Sequence, residues 1–219
     1  MATPSDTSAS PARAWLLGGL ALAVLAALAT LAQGWLAARL GARIERNQNA
    51  WITQRLDALV PAELHDNDLL ADTIAVQQPD LLGTARPVTV YRARKAGEPV
   101  AVILRPIAPD GYQGPIELLV AIAYDGSLLG VQVLRHHETP GLGSQFESND
   151  GAWLRRFSGL SLQRPPQQRW TVRKDGGEFD AFTGATITPR AIVKAVRSTL
   201  EYYRSHRDRL FAAPAQAGP

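Results

Sequence analysis

Cysteine is absent from all 219 residues. That excludes disulfides, thiolate-held iron–sulfur clusters and zinc sites built on Cys. Neither Ser144 nor Ser158 lies in a Gly-x-Ser-x-Gly setting, and there is no Gly-x-x-x-x-Gly-Lys run. A hydrolase elbow and a phosphate-cradling P-loop are therefore missing. Charge of one sign is not in excess either: 23 basic residues stand against 20 acidic ones, for a net charge of +3. No basic cluster is interleaved with aromatics, so nucleic acid is not a partner that this composition selects. The most informative lack is local, because the 25 residues from Ala14 to Ala38 carry no charged side chain.

That run is mostly Leu and Ala, with Trp15 and Trp35 near its two ends. A bilayer core needs about 20 apolar residues, and tryptophans favour its two interfaces. A transmembrane helix over 14–38 is expected. The rival is a cleaved signal peptide, for which Ala27-Leu28-Ala29 offers a small-x-small site. The run outlasts the usual h-region of about 7–15 residues, however, and only Arg13 precedes it. Arg39, Arg43 and Arg46 follow the run. A bare positive-inside count would put the bulk of the chain in the cytoplasm, although large C-terminal domains translocate regardless of such a count. Residues 1–13, rich in Ser, Thr, Ala and Pro, read as a disordered N-terminus. Residues 39–61, closed by Pro61, read as a helical stalk, with Ile44, Trp51, Leu56 and Leu59 apolar among Arg, Asn and Gln.

Strands dominate the next part. One short candidate is Thr73–Val76. Pro87–Arg94 alternates Val88, Val90 and Arg92 against Thr89 and Tyr91, and Ala96-Gly97-Glu98-Pro99 turns it into Val100–Leu104. Ile116–Tyr124 and Leu128–Leu134 flank Asp125-Gly126, a two-residue hairpin signal. Gly151–Phe157 reads as a short helix, 159–168 as a loop, and Trp170–Val172 as a returning strand. A last helix is expected from Pro189 to about Leu210, since Ile192, Val196, Thr199, Leu200 and Tyr203 recur at helical steps. The fold class is α+β, mostly antiparallel, with a soluble domain over 62–211 and a flexible tail over 212–219.

Three segments could carry chemistry. Gly111-Tyr112-Gln113-Gly114-Pro115 precedes the second hairpin and by itself reads as a turn. The hairpin ends at His136-His137-Glu138-Thr139-Pro140-Gly141-Leu142-Gly143. Adjacent strand residues face opposite ways, so of the two His only His136 could share a face with Glu138, and no third ligand has helpful spacing. No metal site is expected. The glycines instead let backbone amides approach a planar ligand, with Leu142 able to lie on a ring. The third segment, Asp180-Ala-Phe-Thr-Gly-Ala-Thr186, is a bare loop entering the last helix, for which Thr188 is the expected N-cap and Pro189 the first residue. Thr183 and Thr186 offer hydroxyls beside the positive end of that helix, a place suited to phosphate. Arg190 and Lys194, one turn apart, could offset its charge. No side chain stands out as a catalytic acid, base or nucleophile.

Taken together, the three segments resemble the FMN-binding domain of membrane redox complexes. The resemblance is greatest to the G subunit of Rnf-type electron transport complexes, relatives of the C subunit of sodium-pumping NADH:quinone oxidoreductase. Asp180 to Thr186 is similar to the Asp-x-x-Ser/Thr-Gly-Ala-Thr signature at which a flavin transferase attaches FMN. Thr183 stands where the family often has Ser and keeps its hydroxyl. The resemblance implies a covalent phosphoester at Thr186, with Thr183, Gly184 and Ala185 shaping the loop and Asp180 as the acidic lead residue. It implies that Glu138, Thr139, Gly141, Leu142 and Gly143 lie against the flavin, with Tyr112 a weaker candidate. It implies a single-pass protein of the bacterial inner membrane with a periplasmic domain. There it would relay electrons among other membrane subunits of an ion-translocating ferredoxin:NAD oxidoreductase, a translocase. The alternative of another class is a membrane-anchored binding or assembly module whose loop carries no flavin.

Overall fold

The computed structural model describes residues 11–214. The expected N-terminal segment up to residue 10 and positions 215–219 of the expected tail lie outside the described residues. The chain divides into two compact units, with the boundary between Trp51 and Ile52, and the first helix, α1, is Pro11–Leu59. Residues 11–13, expected to be irregular, belong to this helix.

Within the first unit, Trp15–Leu36 is long and apolar enough to cross a membrane, with a mean hydropathy of 2.2. Leu16, Leu22, Leu25 and Leu31 are all exposed along it. Such a surface is stable in lipid and costly in water. The hydroxyl of Thr30 is satisfied within the helix by the carbonyls of Ala26 and Ala27, at 3.0 and 2.9 Å. At the end of the span the Arg39 guanidinium lies 4.8 Å from the centre of the Trp35 ring.

The second unit is built on a six-stranded antiparallel sheet. Its strands are β1 (Thr73–Val76), β2 (Val88–Lys95), β3 (Glu98–Leu104), β4 (Ile107–Ala108), β5 (Ile116–Ala123) and β6 (Leu128–Arg135), and a single turn, α2 (Pro79–Leu82), joins β1 to β2. The order is β1-β2-β3-β5, with β4 on the same edge of β5 as β3 and β6 on the other. Leu104 faces Val120 and Ile107 faces Glu117. Three steps on each strand match, so β4 continues β3 in register past Arg105 and Pro106.

Helix α4 (Ile187–Ala212) covers one face, where Val102, Leu104, Ile116, Leu118, Val120 and Ile122 pack on Ile192, Val196 and Leu200. The end of α1 covers the other, where Ile52, Leu56 and Leu59 meet Tyr91, Ile103, Leu119 and Ala121. Burial on both faces explains why β5 reads as a nearly unbroken apolar run rather than an alternation. At Gly130 an added Cβ would lie 2.8 Å from Leu59 Cδ2, so glycine lets α1 settle onto the sheet. The compact unit thus starts at Ile52, inside the stretch expected as a stalk, because those apolar residues are one layer of the core.

Other differences from expectation are local. The first hairpin turns on Ala96-Gly97 alone, both with positive φ (52° and 82°), between the paired Lys95 and Glu98. Two left-handed residues match the twist of the flanking strands. The second hairpin has a three-residue loop, Tyr124-Asp125-Gly126, closed by the Ala123 amide donating to the Ser127 carbonyl at 2.8 Å. Gly126, at φ 90°, supplies the left-handed residue of the three. Helix α3 (Ser148–Arg155) covers most of the expected 151–157 stretch but starts earlier, through left-handed Asn149, Asp150 and Gly151, which kink its beginning.

Trp170–Val172 is not a strand. Val172 makes one isolated bridge, to Phe179. This irregular region is held by aromatic packing instead: Phe157 stacks on Phe179 at 4.7 Å and Trp153 meets Phe182 edge-on at 5.0 Å. The indole N–H groups of Trp153 and Trp170 donate to the carbonyls of Asp180 and Pro165 at 2.9 and 3.1 Å, so their burial leaves no polar atom unpaired.

Candidate functional site

Antiparallel pairing of β5 with β6 sets Glu117 opposite Arg135, so β5 begins where β6 ends. The loop entering β5 and the loop leaving β6 therefore emerge at one end of the sheet. Helix α4 starts at the same end. Thr188, its second residue, donates its hydroxyl to Glu138 Oε2 at 2.5 Å, and Lys194 pairs with Asp110 at 2.5 Å.

Glu138 is the joint. It is only 3% exposed, and the Gln113 amide donates to its Oε1 at 3.1 Å. Two of the three segments singled out in the sequence, and the start of α4 that follows the third, thus meet on one buried carboxylate. Close approach to it requires glycine twice. A Cβ on Gly111 would stand 2.9 Å from Oε1 and 2.2 Å from the Gly114 carbonyl oxygen, and one on Gly143 would stand 2.6 Å from Oε2. The amide of Glu138 donates to His136 Nδ1 at 3.1 Å, which leaves Nε2 as the protonated nitrogen that reaches Glu147 at 3.1 Å. His136 and Glu138 are directed to different partners and do not converge on a shared ligand.

Above this joint is a cavity of about 150 Å³ lined by Tyr112, Glu138, Thr139, Leu142, Gly143, Gly184, Ala185, Thr186, Ile187 and Thr188. Eight of these were named from the sequence as binding residues; Ile187 was not, and Thr188 was expected only as the N-cap. Three expected residues do not line the cavity. Thr183 accepts a bond at its carbonyl from Gln145 Nε2 at 3.1 Å. Gly141 donates its amide to Ser144 Oγ at 3.1 Å and forms the turn, with φ at 73°. The Asp180 carboxylate is drawn outward into ion pairs with Arg156 and Arg173.

Two expectations at the helix start are corrected. Thr186, not Thr188, is the N-cap residue, with α4 beginning at Ile187, and its side chain makes no capping hydrogen bond. Thr188 instead turns its hydroxyl inward, and Pro189 falls in the first turn, where amides lack helical partners anyway. A helical repeat running back from Ile192 by four residues places Thr188 on the buried stripe, and that signal in the sequence was available. Arg190 does not lie free over the loop, because it chelates Asp175 at 2.7 and 3.0 Å and holds that carboxyl below its ordinary pKa. Lys194 is likewise engaged by Asp110.

The residues present fit a flavin nucleotide. The cavity is smaller than the roughly 300–1,000 Å³ of an enclosed ligand site, so it suits part of such a ligand. The remainder would meet exposed apolar surface at its mouth: Tyr112, Leu142 and Ile187 are 63%, 41% and 45% exposed. Gly184, at φ 77°, keeps the floor bare next to Leu142.

Comparison with known proteins agrees with this class. Residues 111–201, which span all three segments, match the FMN-binding domain. The chain is 46% identical to the G subunit of the ion-translocating oxidoreductase complex of Shewanella loihica, over 79% of this chain and 82% of that one. It is 43% identical to the protein of the same name from Vibrio cholerae over 90% and 93%, and 39% identical to that of Shewanella piezotolerans over 93% and 96%. The chain belongs to the family of G subunits of ion-translocating oxidoreductase complexes.

Proposed function

We propose that this protein carries FMN as a phosphoester on Thr186 and passes electrons through it within a membrane-bound, ion-translocating ferredoxin:NAD oxidoreductase. The observation that carries the reading is the Thr186 side chain: it lines the cavity and is not spent on capping its own helix. A flavin supplies reversible one-electron chemistry, while the protein sets its orientation and potential. Tyr112, Leu142 and Ile187 would bear on the ring system and exclude water from it. Thr139 and the bare Gly184-Ala185 turn would border the ribityl chain. Asp180, held by Arg156 and Arg173, fixes the loop that a flavin transferase must grip. A bonded cofactor is not lost by dissociation, which suits a domain on the periplasmic side of the inner membrane. The span Trp15–Leu36 would anchor that domain beside the other membrane subunits of the complex.

In-gel flavin fluorescence tests the reading. The protein is co-expressed with a flavin transferase, denatured and run beside Thr186→Val. A fluorescent band in the wild type alone is expected. A dark wild-type band, with the transferase active on a control substrate, would leave the anchored assembly module as the reading.

A further inference from the structure

Glu138 has a property that holding loops together does not need. It is a buried carboxylate whose described donors, the Gln113 amide and the Thr188 hydroxyl, are both neutral. Each oxygen meets one of these donors, and no cation is among the described partners. A buried anion without a cationic partner is costly, and it lines the cavity instead of being sealed below it.

The titratable groups on the enclosing elements are otherwise occupied or outside. Asp110 pairs with Lys194, His136 with Glu147 and Arg190 with Asp175. Tyr112 and His137 are exposed. Glu138 is therefore the carboxylate in this cavity whose charge other ionised side chains do least to hold in place.

We infer that Glu138 is the proton-accepting group of the cavity, taking up a proton from water when the flavin is reduced and releasing it on reoxidation. This rests on the flavin reading above. In each cycle a redox centre of the same complex gives one electron to the flavin, and one proton from solvent joins a Glu138 oxygen. Oxidation by the next centre removes the electron, and the proton returns to water. The negative charge added to the flavin favours the neutral carboxyl beside it, and by linkage protonation raises the flavin's midpoint potential.

The test is a spectroelectrochemical titration of the full-length, flavin-loaded protein in detergent across a pH series, with Glu138→Gln alongside. Loading is read first by in-gel fluorescence. The wild-type potential should fall with pH more steeply than that of Glu138→Gln over the interval where the carboxyl titrates, a difference approaching one proton per electron. Its reduced-minus-oxidised infrared spectrum should contain a protonated-carboxyl band that the variant lacks. Should Glu138→Gln fold or load poorly, Thr188→Val serves: removing a donor to the anion should move the pH interval upward. Superimposable pH profiles in two loaded proteins, or an interval unmoved in Thr188→Val, would overturn the inference alone. A dark wild-type band would overturn the flavin reading and this inference together.

Discussion

Arg92 donates from Nη1 to the carbonyl of Leu210, 118 residues further along the chain, at 3.2 Å. The guanidinium is buried on the apolar face of β2 and also pairs with Asp72. Beside it, Arg94 donates to the Phe211 carbonyl at 2.7 Å and to Asp72 at 2.9 Å. The last carbonyls of a helix lack partners within it, and two cations at that end complement its dipole. This clasp holds the far end of α4, as Thr188 and Glu138 hold the near end.

Breaking the clasp at its buried member should be severe. Arg92→Ala leaves Asp72 short of a partner and the carbonyls unsatisfied, a loss of about 3–5 kcal/mol. Arg94→Ala, part-exposed, should cost about 1 kcal/mol. Urea denaturation followed by tryptophan fluorescence measures both, and equal costs would contradict the assignment.

The boundary at Ile52 predicts where the chain can be cut. Ile52, Leu56, Leu59 and Val60 are buried, each worth about 1.5–3 kcal/mol, against a total stability of about 5–15 kcal/mol for a typical domain. A chain beginning at Asn49 should be soluble without detergent and monodisperse by size-exclusion chromatography. One beginning at Ala62 should aggregate, because it bares Tyr91, Ile103 and Leu119. Equal behaviour of the two would show that the end of α1 is only a stalk.

Gly143→Ala should strain the site specifically. Its Cβ would press on Glu138, at a cost of about 1–3 kcal/mol, and should reduce flavin occupancy along with the melting temperature. Gly126→Ala, in the loop at the opposite end of β5, should lower the melting temperature but leave occupancy unchanged. Absorbance at the flavin band relative to protein distinguishes the two.

Stability should fall at alkaline pH. Burial pushes the phenols of Tyr203, Tyr202 and Tyr91 above their ordinary value of 10.0, and Tyr203 also donates to the Tyr124 carbonyl at 3.0 Å. A raised folded-state pKa means that the folded form keeps its proton longer. The contribution is then complete below about pH 10 and is lost as pH climbs from there toward the folded value. Denaturation midpoints should be flat below that point and decline above it, less steeply in Tyr203→Phe. Parallel declines would show that Tyr203 is not a cause.

Much of this was legible in the residues. The charge-free run, the hairpins around 96–97 and 125–126, and the last helix follow from periodicity and turn chemistry within a few neighbouring positions. The role of Ile52 to Val60 was not, because an amphipathic stretch looks the same whether its apolar face meets a sheet or another surface. Arg190 and Lys194 seemed available to a phosphate, since their acidic partners, Asp175 and Asp110, lie 15 and 84 residues away. The returning strand at 170–172 failed because aromatic burial, not a ladder, holds that region.

The sequence by itself determined which residue types are on offer for chemistry, because a threonine hydroxyl, a bare glycine turn and an uncharged apolar run keep their properties in any fold. Only the tertiary structure decided what they face. Antiparallel pairing brought the start of β5 and the end of β6 together, and α4 crossed the sheet to begin at the same point. The placing of Thr188 as the buried donor, and of Glu138 as the carboxylate that Thr188 and Gln113 both reach, is one of contacts between distant segments, and no local pattern encodes those distances.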